Sequence, residues 1–188
     1  MMPQRNWQWL FWLVASGVFV VDLALKELVT HQFAIGEHRE FLAGACRIYR
    51  LAEVNRGAFL AVGDRWGQWA NWIFASVSVV VAGVLLALHV RPSVKSNIWL
   101  SLGLGLIVGG ATGNLLDRLR FGGVRDFVQL FLPLGDNEFV PVTAVFNLAD
   151  TALLTGAGLL LLATWLTGSE MPDHAGQDTP RPAAQVPS

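Results

Sequence analysis

An all-α membrane protein is the fold class this sequence predicts: four transmembrane helices, with a small β element and a loop or short helix lying on the membrane surface. Three observations predict it. Of 188 residues, 53% are hydrophobic and only 14% charged, and the mean hydropathy of +0.47 is too high for an ordinary soluble domain of this length. Four stretches have the roughly 20 apolar residues that a helix needs to cross about 30 Å of hydrocarbon. These are Trp7–Leu25, Trp69–Val90, Ile98–Leu116 and Val145–Thr167. The tryptophans at 7, 9, 12, 66, 69, 72, 99 and 165 fall near the proposed helix ends, where an amphipathic ring favours the headgroup layer.

The first stretch continues into Asp22-Leu-Ala-Leu-Lys26 with no small-x-small cleavage site, so it is expected to remain as an anchor. An even number of helices puts both chain ends on one side and gathers segments 27–68 and 118–144 on the other. In the first of these segments, alternation around Arg47-Ile48-Tyr49-Arg50-Leu51 predicts a β element within Phe41–Ala61. The second holds Gly122-Gly123 and the turn-like Pro133–Asn137, bounding two more short extended pieces. Residues 1–168 form the membrane domain, and 169–188, rich in proline and without apolar period, are expected to be disordered.

Cys46 is the only cysteine, which excludes an internal disulfide and a thiolate zinc cluster. A net charge of −1 with scattered basic residues offers no footprint for nucleic acid. Nine of the thirteen Lys and Arg residues fall on the loop side. Several of them sit in long loops, where the preference of positive charge for the cytoplasm weakens, so charge alone leaves the orientation open.

The polar residues inside the apolar stretches carry the chemistry. Helix three has Gly105, Gly109 and Gly113 at spacing four, a strip along which a neighbouring helix can approach closely. Asn114, Asp117 and Arg118 follow at helical spacings of three and four. Asp22 and Lys26 have the spacing of an intrahelical ion pair. Asn147 and Asp150, three apart, share a face one to two turns inside helix four, and Asp126 lies just beyond helix three. An intramembrane carboxylate costs several kcal/mol by most accounts unless it is paired, neutralised or wet, so such residues mark function.

All these residues gather near the loop-side ends. Two carboxylates brought together cannot both ionise cheaply and come to share a proton. That state can activate water against a peptide carbonyl and protonate the departing amine. The sequence has no Gly-x-Ser-x-Gly for a serine nucleophile and no His-Glu-x-x-His for zinc. A metal held by the carboxylates alone stays open. So does a small proton- or cation-coupled transporter, although its acids are expected deeper in the membrane.

Asp22-x-x-x-Lys26, Asn55-x-Gly57, Gly109-Gly110-Ala111-Thr112-Gly113-Asn114-Leu115-Leu116-Asp117-Arg118, Gly123-Val124-Arg125-Asp126-Phe127 and Phe146-Asn147-Leu148-Ala149-Asp150 together resemble lipoprotein signal peptidase, the bacterial signal peptidase II. The resemblance implies an inner-membrane aspartic endopeptidase that removes signal peptides from diacylglyceryl-modified prolipoproteins, just before the lipidated cysteine. It places Asp126 and Asp150 at the catalytic positions. It places Asp22, Lys26, Asn55, Gly57, Gly110, Asn114, Asp117, Arg118, Asn147 and Ala149 at positions that bind substrate or shape the site.

It also implies cytoplasmic termini and periplasmic loops, no cofactor or metal, and a monomer whose partners are the lipidated substrate and membrane lipid. Two departures stand out. The usual Asn-x-Gly-Ala-Ala-Phe block is one residue shorter, as Asn55–Phe59, and Arg125 replaces a common small apolar residue, with a solvated side chain expected. Leu42–Cys46 looks like the lipobox such enzymes cut, but it is internal and is read as coincidence.

Overall fold

The computed structural model describes residues 6–57, 68–135 and 138–168. Ala58 and Phe59 of the shortened block, Trp66, the Asp136-Asn137 part of the expected turn and the tail 169–188 lie outside them. Among the described residues, four helices are long and apolar enough to span a membrane: α1 (Gln8–Gln32), α2 (Gln68–His89), α4 (Ile98–Phe121) and α5 (Leu148–Gly168). A one-turn helix, α3 (Pro92–Lys95), links α2 to α4.

The helices coincide with the four apolar stretches, but two of them run further than hydropathy indicates. α1 continues seven residues past Leu25, and α4 five past Leu116. The reason is burial. Asp22, Lys26 and Val29, spaced four and three, form one protected stripe on α1, and Val29 and Phe33 pack with Phe127 beneath the sheet. The last turns of α1 are therefore held by loop residues rather than by lipid.

The central helix is α4, which packs against α1, α2 and α5. Its glycines set those distances. A Cβ built on Gly109 would stand 2.6 Å from the Ala15 carbonyl oxygen, so α1 passes against the bare backbone of α4. Gly105 and Gly113 face the same helix at Phe11 and Asp22, while Gly103 and Gly110 face α5. The expected glycine strip is thus one of two. Asn97 caps α4 by accepting hydrogen bonds from the amides of Trp99 and Leu100. Gly122 ends the helix at φ 71°, a left-handed turn that suits glycine.

At the polar end both long loops contribute to one antiparallel sheet, larger than the expected β element. It comprises β1 (His38–Phe41), β2 (Cys46–Tyr49), β3 (Val128–Pro133) and β4 (Phe139–Pro141), in that order. The two loops meet where β2 pairs with β3, with Ile48 opposite Val128 and Cys46 opposite Leu130. The lipobox-like stretch forms the tight connection from β1 into β2. Two further bridges, Asn55 with Val124 and Val128 with Phe146, fasten the segments on either side of the sheet.

Candidate active site

Asn147 organises the site. It precedes the first residue of α5, and its side-chain Oδ1 accepts the amide of Asp150 at 3.0 Å while Asp150 Oδ2 accepts the amide of Asn147 at 3.2 Å. This reciprocal pair is a capping box with aspartate as the third helical residue. Asp150 therefore stands in the first turn of α5, not one to two turns inside as the apolar run implies. Hydropathy cannot see a cap, and a carboxylate there meets the positive end of the helix dipole.

The same asparagine reaches the second carboxylate. Its Nδ2 donates to Asp126 Oδ1 at 2.7 Å and to Asn114 Oδ1 at 3.1 Å. Asn114 Nδ2 donates in turn to Asp150 Oδ1 at 2.8 Å, and Asn55 Nδ2 to Asp126 Oδ2 at 2.9 Å. Asp126 and Asp150 thus come from a loop and a helix start to one asparagine, Asp126 at its side-chain amide and Asp150 at its backbone amide. Burial raises the Asp126 carboxyl to about 6; the amides of Asn55 and Asn147 pull it down and the nearby Asp150 charge pushes it up.

Asn55 is held by its own neighbours. Its backbone exchanges two 2.8 Å hydrogen bonds with Val124. Gly123 lets the strands approach, since a Cβ there would lie 2.7 Å from Val54. Asn55 Oδ1 accepts the amide of Gly57 at 2.9 Å, and Arg118 donates to the Gly57 carbonyl at 2.8 Å. Arg118 thus binds the 55–57 segment rather than pairing along its helix with Asn114. A cavity of about 190 Å³ opens beside Asp126, lined by Lys26, Tyr49, Val54, Arg125 and Phe127 among others.

Behind the two carboxylates lies an ionic layer. Lys26 Nζ stands 2.7 Å from Asp22 Oδ2 and 3.3 Å from Asp117 Oδ2, all three side chains sealed from solvent. The expected Asp22–Lys26 pair exists, but it belongs to a group that also crosses to α4, with Lys26 donating to Asn114 Oδ1 at 3.0 Å. Asp22 Oδ1 accepts the amide of Ala149 at 3.0 Å, which docks the start of α5 on α1. Gly110 admits that contact, a Cβ on it standing 2.5 Å from the Ala149 carbonyl oxygen.

Arg125 departs from its expected solvated state: it is largely buried and turns toward Asp117 and Glu27. Glu27, Thr30 and Asn71 were not legible as site neighbours. Glu27 lies 98 positions from Arg125, and no local pattern links the two. Asn71 on α2 donates to the Arg118 carbonyl at 3.3 Å.

A polytopic membrane protein with two carboxylates convergent at the polar end of its bundle is the class that fold and site define. Residues 14–166 match the family model described as signal peptidase (SPase) II, Peptidase_A8. The chain is 35% identical over 163 residues to the lipoprotein signal peptidase of Cronobacter sakazakii, covering 87% of this chain and 92% of that protein. Over 165 residues it is 36% identical to that of Klebsiella aerogenes, covering 88% and 92%. A solved structure described as a bacterial membrane enzyme superposes with a TM-score of 0.74 at 21% identity, covering 94% of this chain and all of the other. A second, of the same description, gives 0.68 at 22% identity over 87% of this chain and 97% of that one.

The chain belongs to the signal peptidase II family. It is accordingly a protease of lipoprotein processing and a multi-pass bacterial membrane protein, which sets the transporter reading aside.

Proposed function

We propose that this protein is an aspartic endopeptidase of the bacterial inner membrane, removing signal peptides from diacylglyceryl-modified prolipoproteins by cutting before the lipidated cysteine. The observation that carries this reading is the bridging of Asp126 and Asp150 by one asparagine at the polar end of the bundle. Substrate acyl chains stay in the bilayer, so the scissile bond is presented near the interface, where these two side chains sit. In this reading the loops face the periplasm, the termini face the cytoplasm, and the protein works as a monomer in contact with lipid.

Asp126 and Asp150 share one proton. The charged carboxylate takes a proton from water as its oxygen attacks the scissile carbonyl carbon, and the protonated one donates a hydrogen bond to the carbonyl oxygen. Collapse of the tetrahedral intermediate breaks the carbon–nitrogen bond, and a carboxyl proton passes to the leaving amine. Asn147, Asn114 and Asn55 hold both carboxylates by neutral amides throughout, so neither is lost to an ion pair. Water is the only co-reactant, and no metal or cofactor enters the scheme.

The test is cleavage by the purified protein in detergent of a diacylglyceryl-modified prolipoprotein beside the same prolipoprotein unlipidated. Only the lipidated substrate should be cut, leaving cysteine as the new N-terminus. Equal cleavage of both, or a cut elsewhere, refutes the assignment.

A further inference from the structure

Arg125 immediately precedes Asp126, yet its guanidinium turns away from that carboxylate. Nη2 donates to Asp117 Oδ1 at 2.8 Å and Nε to the same oxygen at 3.2 Å, while the backbone amide of Arg125 donates to Asp117 Oδ2 at 3.0 Å. Nη1 donates to Glu27 Oε1 at 2.9 Å and to Thr30 Oγ1 at 3.4 Å. The Phe121 ring lies 4.4 Å from the guanidinium carbon. One side chain therefore ties the end of α1 to the end of α4, and both to the loop that carries Asp126.

The contact continues inward. Asp117 is shared between Arg125 and Lys26, and Lys26 also serves Asp22 and Asn114, which holds Asp150. Charge alternates along the row Glu27, Arg125, Asp117, Lys26, Asp22. We infer that Arg125 is a positioning residue for both carboxylates: for Asp126 through the adjoining backbone, and for Asp150 through Asp117, Lys26 and Asn114. The inference rests on the aspartic reading proposed above.

The physical reason is competition for cations. Asp117 is buried, and a buried carboxylate needs its charge met by good geometry. Without the guanidinium, Lys26 is the cation left beside it, and Lys26 moves toward Asp117 at the expense of Asn114 and Asp22. Meanwhile the 122–127 loop loses its ionic ties to α1 and α4, keeping the Arg125 amide on Asp117 and the packing of Phe127 against Val29 and Phe33. Lysine replaces the fork only in part: its ammonium is a point charge that can meet Asp117, whereas the planar guanidinium engages Asp117 and Glu27 together.

The experiment compares Arg125→Ala, Arg125→Lys and Glu27→Gln with the unaltered protein and Asp126→Asn, measuring kcat and KM on the lipidated substrate. Displacement of a reacting group by about 1 Å costs up to a hundredfold, so Arg125→Ala should lose kcat on the order of tenfold to a hundredfold with KM nearly unchanged. Arg125→Lys should recover part of that loss, and Glu27→Gln should lose only a few-fold because the Asp117 contact remains.

Unaltered kcat in Arg125→Ala overturns the inference, and so does a loss that Arg125→Lys does not lessen. Should Arg125→Ala fail to fold, unchanged kcat in both Arg125→Lys and Glu27→Gln overturns it. Cleavage by Asp126→Asn at the unaltered rate would instead refute the aspartic reading itself, so the two failures are distinguishable.

Discussion

Among the described residues, four aspartates lie at the polar end of the bundle, and they fall into two groups that differ in what touches them. Asp22 and Asp117 are held by cations, Lys26 at 2.7 and 3.3 Å and Arg125 at 2.8 Å. Asp126 and Asp150 accept hydrogen bonds from the amides of Asn55, Asn114 and Asn147. A carboxylate met by a cation is tied into an ion pair, whereas one held by neutral amides keeps its oxygens clear of a paired cation. Ion pairs build the floor of this site, and amides build its working surface.

That division is broken most decisively at the amide-held pair. Asp126→Asn and Asp150→Asn should each lower cleavage by at least about a thousandfold, the scale of losing an acid–base group together with its partner. Both proteins should stay folded in detergent, because neither side chain carries an ion pair. Product formation by either variant at the unaltered rate would dissolve the distinction between the groups.

The cation-held pair should fail in the opposite way. Lys26→Met leaves Asp22 without its ion-pair partner and Asp117 with Arg125 alone, and removing one member of a buried pair costs about 3–5 kcal/mol. Thermal unfolding in detergent measures this. An unchanged melting temperature would mean that water already reaches this layer.

The smallest effect is the sharpest test of the shared proton. Burial raises Asp126 to about 6, so it keeps its proton below that pH and loses it above. A pair that works with one proton is competent while Asp126 holds it and fails when both groups are charged. In this scheme kcat/KM should therefore fall with rising pH above about 6, approaching tenfold per unit. A level profile through the alkaline range would contradict the scheme.

Much of the site was legible because its signals are local. Asp22 and Lys26 announce their pairing by a spacing of four, and the glycines of α4 announce close helix contact by the same spacing. The concentration of Asp, Asn and Arg at the ends of apolar runs places the chemistry at one end of the bundle. Other features were not local. The extension of α1 to Gln32 depends on Phe127 of a distant loop, and the sheet depends on β2 finding β3 across about 80 positions. The inward turn of Arg125 depends on Glu27, which nothing in the neighbouring sequence points to.

By itself the sequence determined the number of spans, the side on which the polar residues collect and the chemical character of the end where they meet. Those follow from hydropathy and helical period, which act over a few turns. The tertiary structure alone decided the partners: Asn147 as a cap touching both carboxylates, Lys26 as a cation divided between two helices, Arg125 as a clasp rather than a solvated charge. Each is a choice among several donors and acceptors of similar strength, and only the packing of α1, α4 and α5 sets which of them lie within hydrogen-bond reach.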